Sequence, residues 1–400
     1  MTIIKPTLDV DLLDPTFLSD PYPTYVALRH EDAITWSERL QCWLVPGYDA
    51  VEAMLRDKRL GKDPRYANLS AAESASEIMT MKSRWILHRD GDFHARIKRL
   101  QSSVLSPQQN VPLTDLAARV VAEMLRPVRA GEWFDVMEVL ALDLPYVIIS
   151  TLLGVPDLDR ERLRLWSRDL FATLEPGMTQ EKWDRGEEAA RNLRHLFGSL
   201  LADAQDDAAP LMSSYRRAID AGQATAEEIE ATCALMFVAG HETTSHFLGT
   251  AIVALARNPE QLAKVREAGG FAPAHVTELL RYDGSVQNTS RVALEDVEVN
   301  GHRINAGQRV LLLLASANRD DRKFPGADEL ELERQAGPHL ALGLGPHYCP
   351  GGWLARQQSL VALNALLALG PRWQVDEDTV IWRRSSQVRG PESLRLRIGT

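Results

Sequence analysis

The chain has 400 residues, of which 45% are hydrophobic and 25% are charged. This is the composition of a folded globular protein, and the length is sufficient to bury a large core. The formal net charge of −10 argues against a general nucleic-acid-binding protein, because such proteins normally carry a basic face.

The N-terminal residues and the cysteines predict a soluble cytoplasmic protein. The first residues, MTIIKPTLDVDLLDP, are interrupted by charge and proline, so they lack the apolar core of a signal peptide. No run approaches the roughly 18 uncharged apolar residues that a membrane span needs. Three distant cysteines, Cys42, Cys233 and Cys349, form no disulfide framework, which favours a reducing compartment. Because no linker or repeat divides the chain, we expect one domain over residues 1–400.

Apolar residues recur at three- and four-residue spacing along most of the chain, which predicts a mainly helical fold with small sheets. Helices are expected at 22–30, 47–57, 92–105, 112–128, 136–154, 159–174, 180–204, 225–257, 259–268, 272–282 and 352–369. Strands are expected as one hairpin at 34–38 and 42–47, a second within 291–304 that turns at Asn300-Gly301, and further segments at 309–314 and 394–398. The polar stretch 61–84 is predicted to be a long loop with at most one helical turn.

The segment 225–257 is predicted to be a long central helix. Thr225 and Glu228 match a capping box at its start, and Asn258-Pro259 ends it. At ~1.5 Å per residue this helix would be on the order of 50 Å long. Its centre, CALMFVAG at 233–240, is apolar on every side, which indicates burial.

The polar run HETTSH at 241–246 interrupts this buried helix. One interpretation is that the helix reaches the surface there and Glu242 faces solvent. We favour a polar notch that opens on a cavity, because apolar residues resume at Phe247. Gly240 would allow a ligand or a bent backbone to come close, and a hydroxyl would bond a freed carbonyl. The neighbouring acid and alcohol, Glu242 and Thr243, could then pass protons into a dry site.

Several charged residues sit in apolar surroundings. Glu278 and Arg281 are three apart and can pair on one helix face, and taken alone they indicate an exposed pair worth ~0.2–0.5 kcal/mol. Arg319 and Arg334 lie beside apolar strands and could reach the same carboxylate, which would make a buried network instead.

A basic cluster, His94, Arg96, Lys98 and Arg99, follows the turn HRDGD. Such a run usually forms a solvated helix face. In an acidic chain it can also dock an anionic group or partner. His94 and Lys98 are four apart and therefore share a face of the helix.

Cys349 lies in a loop rich in glycine and proline just before the helix at 352–369. A helix N-terminus favours a thiolate at this position. A structural zinc site would need four ligands, and no second Cys/His pair accompanies His347 and Cys349. A cysteine nucleophile could use His347 as its base, although no protease signature surrounds the pair. A single thiolate is also what haem iron accepts as an axial ligand.

Three motifs together resemble the cytochrome P450 family in order and separation. LGLGPHYCPG at 342–351 resembles its haem-binding loop, F-G-x-G-x-H-x-C-x-G; AGHETT at 239–244 resembles its oxygen-activating motif; and Glu278-Leu-Leu-Arg281 resembles its E-x-x-R. The segments SANRD, PHLALG and LAR fit the intervening pattern, so the resemblance spans essentially the whole chain. It implies the cytochrome P450 fold, with the long helix crossing a single haem domain, and is closest to the soluble bacterial members.

The resemblance also assigns roles to residues. Cys349 would be the proximal iron ligand, Thr243 and Glu242 would deliver protons to bound dioxygen, and a structural network would join Glu278, Arg281 and Arg334. The implied haem-binding positions are His94, Lys98, Arg291, His339, His347, Gly343, Gly345, Gly351, Ala239 and Gly240. The implied substrate pocket comprises Phe237, His241, Val286, Gln287, Asn288, Thr289 and Val388, with parts of 61–84 and 171–176.

Three positions depart from the family pattern. Leu342 stands in place of the usual phenylalanine, and Lys98 in place of an arginine, which keeps the charge but loses the bidentate fork. Pro350 follows the cysteine and has no N–H, so one hydrogen bond to the thiolate is missing. Fewer donors to sulfur should lower the iron potential.

The implied activity is that of a monooxygenase using haem b and dioxygen, with electrons from NAD(P)H. Because the haem domain fills the chain, separate ferredoxin and reductase partners are expected, with Arg96, Arg99 and Arg356 as the docking surface. The substrate is expected to be an apolar or moderately polar secondary-metabolite intermediate, and the protein a monomer without nucleic-acid or membrane partners. Hydroxylation is the first expectation; epoxidation, dealkylation and oxidative coupling stay open. The alternatives are a haem-thiolate sensor or carrier and a helical scaffold without cofactor.

Overall fold

The computed structural model describes residues 10–63, 76–156, 159–175, 179–203, 210–335 and 337–399. Within these residues the protein is mainly helical. The helices are α1 (Pro15–Ser19), α2 (Tyr22–Glu31), α3 (Tyr48–Arg56), α4 (Glu77–Lys82), α5 (Gly91–Val104), α6 (Val111–Leu125), α7 (Asp143–Leu153), α8 (Arg160–Ala172), α9 (Gln180–Ala202), α10 (Pro210–Asp220), α11 (Ala226–Arg257), α12 (Pro259–Glu267), α13 (Pro273–Asp283), α14 (Leu314–Asn318) and α15 (Gly352–Leu369).

The strands form small sheets. They are β1 (Thr35–Ser37), β2 (Cys42–Val45), β3 (Leu60–Gly61), β4 (Trp133–Asp135), β5 (Thr289–Ala293), β6 (Val297–Val299), β7 (His302–Ile304), β8 (Arg309–Leu312), β9 (Arg372–Val375), β10 (Ile381–Trp382), β11 (Pro391–Ser393) and β12 (Arg395–Gly399). The largest sheet has the order β1-β2-β8-β5-β3, and β2 runs parallel to β8. The other sheets are β4-β12-β9, β6-β7 and β10-β11.

Each predicted helix is present within a few residues of its expected bounds, although the segment 136–154 begins with a π-helical turn, Met137–Ala141, before α7. Both predicted hairpins are present, and Asn300 and Gly301 turn the second one with φ of 49° and 79°. Two strand predictions were wrong in extent. Residues 291–293 belong to β5 and pair with β8, and the strand at 309–314 ends at Leu312 because α14 begins two residues later. Helices α1, α10 and α14 were not predicted.

Helix α11 forms the buried centre of the protein. The Thr225 side chain accepts the Glu228 N–H and the Glu228 carboxylate accepts the Thr225 N–H, so the predicted capping box is confirmed. Most residues between Ile229 and Leu255 are buried, against neighbours that include α7 and α9. Full burial of one such leucine or isoleucine contributes about 1.5–3 kcal/mol.

The predicted loop 61–84 is only partly described. It begins at the end of β3 and ends in α4, the single helical stretch that the sequence allowed for, and residues 64–75 lie outside the described residues. Among the described helices, none combines the length and apolar character needed to cross a membrane. The division of the chain into one domain remains a prediction.

Candidate haem-thiolate site

The loop that carries Cys349 is a tight, hydrogen-bonded turn. The Cys349 N–H donates to the Leu342 carbonyl at 2.9 Å, which closes the loop. Gly343 and Gly345 have φ of 72° and 70°, in the left-handed region that favours glycine. A Cβ at Gly343 would also lie 3.2 Å from the His347 carbonyl oxygen. The loop therefore holds a half-buried cysteine directly ahead of α15.

The surroundings of the Cys349 sulfur act on its charge in opposite directions. Burial raises the pKa of the thiol, whereas the Gly351 N–H, the charges of Arg356 and Lys98, and the Gly352 N–H lower it. These N–H groups open α15 and favour the thiolate, but burial outweighs them and the net pKa of Cys349 is raised. Within the described part of the chain, no three His, Cys, Asp or Glu side chains are arranged to hold a metal ion among themselves.

Helix α11 opens on one narrow face. Through residues 231–255 every residue is buried except Ala239, Gly240 and Thr243, which are partly exposed, and these positions share one side of the helix. The Thr243 hydroxyl donates to the Ala239 carbonyl at 2.9 Å, and the Ser285 hydroxyl donates to the Thr243 carbonyl at 2.7 Å. A small polar notch therefore interrupts an otherwise buried helix, as the sequence indicated.

Gly240 is explained by helix packing. A Cβ at this position would lie 2.9 Å from two side-chain carbons of Ile149 on α7. The group that comes close is therefore a neighbouring helix, and contact of Gly240 with a cofactor remains a prediction.

Glu242 does not face solvent, so the surface interpretation of HETTSH was wrong. Its side chain is about 8% exposed and forms an ion pair with Arg383. The same guanidinium nitrogen lies 2.7 Å from His246 Nε2, and His246 Nδ1 lies 3.1 Å from the Pro391 carbonyl. Burial raises the pKa of Glu242, but Arg383 and the neighbouring histidines outweigh it, so the net pKa is far below the usual value. Arg383 was missed because nothing in the RRSSQV stretch indicates which arginine turns inward.

The Glu278 network is buried, so the exposed-pair interpretation was wrong. Arg281 donates to the two Glu278 carboxylate oxygens at 2.7 Å each, and Arg334 adds a bond at 3.1 Å. Glu278 and Arg281 are 4% and 2% exposed. Arg281 also donates to the main-chain carbonyl of Asn318. The side chain of Asn318 accepts the N–H of Leu340, just before the cysteine loop. The network thus reaches the segment that holds the cysteine.

Arg319 does not join this network, which corrects the sequence-based expectation. It donates to the Tyr282 carbonyl at 2.6 Å and to the Asp328 carboxylate at 2.9 Å. Its guanidinium also covers the rings of Tyr22 and Tyr282.

The face shared by His94 and Lys98 packs against the cysteine loop. The rings of His94 and His347 lie 4.3 Å apart, and Lys98 Nζ donates to the Pro346 carbonyl. His347 in turn lies 2.8 Å from an Asp90 carboxylate oxygen. His339 Nδ1 accepts the N–H of Ala341 at the start of the loop.

Arg291 is a buried cation whose described hydrogen-bond partners are neutral oxygens. It is 3% exposed, and its guanidinium donates to the Ser290 carbonyl at 2.8 Å. Among the described residues no carboxylate oxygen lies within 4 Å of it. Burial lowers its pKa to about 10. A buried guanidinium with only neutral oxygens as close described partners fits a ligand carboxylate, as a haem propionate would supply.

The predicted pocket residues divide into two groups. Val286 and Thr289 keep accessible surface, and Val286 forms a β-bridge with the buried Val388. The other side chains are buried and engaged in contacts inside the protein: Phe237 in ring contacts, His241 on the Phe237 carbonyl, Gln287 on Tyr25 and Gly284, and Asn288 on the Ser386 carbonyl. A direct substrate contact for this second group remains a prediction.

The predicted docking arginines also differ in availability. Arg96 forms a bidentate pair with Glu228 at 2.8 Å, so it ties α5 to the start of α11. Arg99 is exposed, and Arg356 donates to the Tyr348 hydroxyl at 2.6 Å.

The described residues thus include a loop-borne thiol, an open strip on a central buried helix and a buried guanidinium bonded to neutral oxygens, each at a position where the sequence predicts haem contacts. The family model described as "Cytochrome P450" matches residues 41–268 and 271–387, and the chain belongs to that family.

Named relatives agree with this assignment. The chain is 32% identical to "Cytochrome P450 monooxygenase PikC" of Streptomyces venezuelae, over 99% of this chain and 95% of the relative. It is 34% identical to "Nocardicin C N-oxygenase" of Nocardia uniformis subsp. tsuyamanensis, over 95% and 96% of the two chains. The solved structure of P450BioI in complex with hexadec-9Z-enoic acid ligated acyl carrier protein matches with a TM-score of 0.88 at 30% identity, over 96% of this chain and 100% of the other. The protein is therefore a monooxygenase that inserts one atom of dioxygen, and its family uses a haem-thiolate cofactor, small-molecule substrates and redox partners.

Proposed function

We propose that this cytochrome P450 hydroxylates an apolar or moderately polar small organic molecule, an intermediate of secondary metabolism. The observation that carries the proposal is the accessible strip of Ala239, Gly240 and Thr243 on the otherwise buried α11, with an ionised acid beside it. A hydroxyl next to a buried carboxylate could relay protons into a dry site whenever the carboxylate leaves Arg383, which otherwise keeps it ionised.

Haem b is the cofactor in this proposal, and when bound it supplies dioxygen activation. Cys349 would hold the iron through its thiolate. Arg291, His339 and His94 would bind the propionates, with Lys98 in the place of the family's usual arginine. The small residues of α11 would leave room for the cofactor. Electrons would come from NAD(P)H through a separate ferredoxin and its reductase.

The chain's own residues would control the proton supply. The Thr243 hydroxyl donates to its own helix at Ala239, and rotation about χ1 would turn it toward the open strip. Glu242 is held by Arg383 and lies on the neighbouring face. To return a proton to the Thr243 hydroxyl, the Glu242 carboxylate would have to leave Arg383 briefly. The Glu242–Arg383 ion pair would therefore limit the rate of proton entry.

The first test is the spectrum of the reduced protein under carbon monoxide. We expect the strongly red-shifted Soret band of a thiolate ligand, and Cys349→Ser should abolish it. A colourless protein, or the same band in the variant, would contradict the proposed ligand.

The second test separates an oxygenase from a haem-thiolate sensor or carrier. With a ferredoxin and reductase supplying electrons, Thr243→Ala should divert reduced dioxygen to hydrogen peroxide, because the hydroxyl no longer guides protons. Thr244→Ala is the matched control, since Thr244 is buried on another face. Equal peroxide yields in the two variants would favour the sensor. Incorporation of an oxygen atom from isotopically labelled dioxygen into the product would distinguish hydroxylation from oxidative coupling.

A further inference from the structure

A buried histidine lies directly beside the Glu242 carboxylate. His241 precedes Glu242 on α11, and its Nε2 atom lies 3.5 Å from Glu242 Oε1. The residue is 4% exposed. Its ring packs edge-to-face with the rings of Phe237 and Tyr146, at centroid distances of 5.2 Å and 5.9 Å. This packing between α11 and α7 aims one ring nitrogen at the acid of the proposed proton path.

The hydrogen bonds of His241 show which ring nitrogen carries a hydrogen. Nδ1 lies 2.7 Å from the Phe237 carbonyl oxygen. A carbonyl oxygen only accepts hydrogen bonds, so Nδ1 must be the donor. Nε2 is buried and has no hydrogen-bond partner among the described residues. In a neutral ring Nε2 would be a bare acceptor facing a carboxylate oxygen, whereas a proton on Nε2 would make the contact a charge-assisted attraction.

The other neighbouring histidine, His246, has no nitrogen to spare. Its Nδ1 lies 3.1 Å from the Pro391 carbonyl and must donate. Its Nε2 lies 2.7 Å from Arg383 and must accept, because a guanidinium only donates. Burial and the charge of Arg383 accordingly lower the pKa of His246 to about 4. Of the two histidines near Glu242, His241 is therefore the one that can take up a proton without losing a bond.

Glu242 needs such a neighbour, because it is not a proton source by itself. Burial raises its pKa, but Arg383 and the histidines bring the net pKa far below the usual value. The carboxylate must therefore gain a proton before it can pass one to Thr243. The charged and titratable groups around His241 and Glu242 are His246 on α11, Arg383 just after β10 and Tyr146 on α7.

We propose that His241 is a positioning residue of the oxygenase reaction, which holds a proton on Nε2 and passes it to Glu242 Oε1. This rests on the proposed function and deepens it. In the step the Nε2–H bond breaks and an O–H bond forms, which leaves both side chains neutral. A proton from solvent then recharges His241. The 3.5 Å separation would have to tighten to an ordinary hydrogen bond, as it commonly does when a substrate is bound.

The transfer would also release the acid. A neutral Glu242 is held less strongly by Arg383, so its carboxyl group could turn toward the Thr243 hydroxyl. His241 would thus determine when the ion pair opens. This role differs from the substrate contact that the sequence predicts for His241.

The test measures how reduced dioxygen is divided between water and hydrogen peroxide. The haem-loaded protein receives electrons from NADH through a ferredoxin and its reductase, without an organic substrate. Water formation uses twice the protons of peroxide formation, so a failing proton supply increases peroxide. His241→Phe keeps an aromatic ring but carries no proton. It should shift the ratio of water to peroxide about 10-fold toward peroxide, which corresponds to about 1.4 kcal/mol between the competing steps.

The pH dependence separates proton storage from packing. Histidine changes its charge between about pH 5 and pH 8, so the wild-type peroxide fraction should rise with pH in that range. His241→Phe and His241→Gln should both show a high fraction that no longer changes, since glutamine can donate to Glu242 but cannot carry a proton. His195→Phe, on the exposed side of α9, is the matched control and should keep the wild-type curve.

Nitrogen NMR of the carbon monoxide complex gives a readout that does not depend on turnover. With isotopically labelled histidine, the signals lost in His241→Phe identify His241. Its Nδ1 should stay protonated, and its Nε2 should gain a proton as the pH falls. Glu242→Gln should weaken proton binding at Nε2, because it removes the facing anion.

Two outcomes would overturn the proposal. One is a wild-type ratio and pH curve in His241→Phe or His241→Gln, provided that the variant shows the thiolate band under carbon monoxide. The other is an Nε2 that stays unprotonated over the whole pH range. Thr243→Ala in the same assay keeps these distinct from failure of the proposed function. Raised peroxide in Thr243→Ala alone rejects only the role of His241, whereas no rise in either variant contradicts the proposed proton path as a whole.

Discussion

At the scale of single residues, the buried carboxylate of Glu278 holds two arginines together. It accepts hydrogen bonds from Arg281 and Arg334, and all three side chains have 9% exposure or less. Glu278→Gln would leave two buried guanidinium groups short of an anion, so we expect a loss of about 3–5 kcal/mol in the free energy of unfolding. Denaturant titration measures this loss.

The matched control for Glu278 is Glu331→Gln. Glu331 lies 3.6 Å from the same Arg334 but its side chain is 56% exposed. Its change should cost less than about 1 kcal/mol, because exposed pairs contribute little. Similar losses in the two variants would mean that burial does not decide the strength of this network.

Pro350 limits the number of N–H groups that can donate to the Cys349 sulfur. The N–H groups of Gly351 and Gly352 already favour the Cys349 thiolate, and the proline between them and the cysteine can add none. Pro350→Leu introduces an N–H beside the sulfur, so we expect the haem reduction potential to rise, because a donor withdraws electron density from the thiolate. Spectroelectrochemical titration gives the value. Pro346→Leu, in the same loop, should leave the potential unchanged, and an equal or lower potential for Pro350→Leu would defeat the explanation.

At the scale of elements, the central helix is tied to the C-terminal strands by buried ionisable groups. Burial, with the charge of Arg383, lowers the pKa of His246 from its ordinary value of 6.5 to about 4, and the pKa of Glu242 is also lowered. Between pH 6.5 and pH 4, His246 binds a proton in the unfolded state but stays neutral in the folded state. The free energy of unfolding therefore falls as the pH falls through that window. The ionised Glu242 also stabilises the folded state above the usual carboxyl pKa. This contribution is lost as the pH falls below that value toward the lowered pKa of Glu242.

The predicted acid sensitivity can be measured directly. The His246 contribution amounts to on the order of 3 kcal/mol over the window, at 1.36 kcal/mol for each pKa unit. Denaturant titrations between pH 7 and pH 4 should show a decline, and His246→Gln should reduce its slope. It should not abolish the slope, because the pKa values of His94 and His339 are also lowered to about 4. His195→Gln, on the exposed side of α9, should retain the wild-type slope. The same steep slope in both variants would place the acid sensitivity elsewhere.

The sequence predicts an element well when neighbouring residues determine it, and poorly when distant residues do. Long helices such as α9 and α11 follow from local periodicity and caps, and their bounds agree within a few residues. Short strands such as β10 and β11 exist only because a distant partner pairs with them, and they were missed. The same distinction applies to side chains. Cys349 lies in a recognisable loop, whereas Arg383 and Lys82 are buried by residues far away in the chain.

At the scale of the whole molecule, the sequence predicts that this acidic protein docks an electron donor on a local basic surface of α5. A shallow groove on α5 is lined by Asp92, Phe93, Ala95, Arg96 and Arg99. Arg99 is exposed, whereas Arg96 is committed to Glu228 and so contributes to the fold as well. If an acidic ferredoxin docks here, Arg99 provides the attraction, and long-range attraction acts mainly on the association rate.

Arg99→Glu should therefore slow reduction of the haem by a ferredoxin while leaving unfolding unchanged. The deficit should shrink as salt rises, because the Debye length falls from about 10 Å at 0.1 M to about 3 Å at 1 M. Stopped-flow reduction at several ionic strengths measures this dependence. Arg160→Glu, at the start of α8, reverses the same charge outside the groove and is expected to keep the wild-type rate. Equal rates for the two variants at low salt would rule out α5 as the docking surface. If only Arg96→Glu slowed reduction, and it also lowered the melting temperature, the role of Arg96 would be structural, through its ion pair with Glu228.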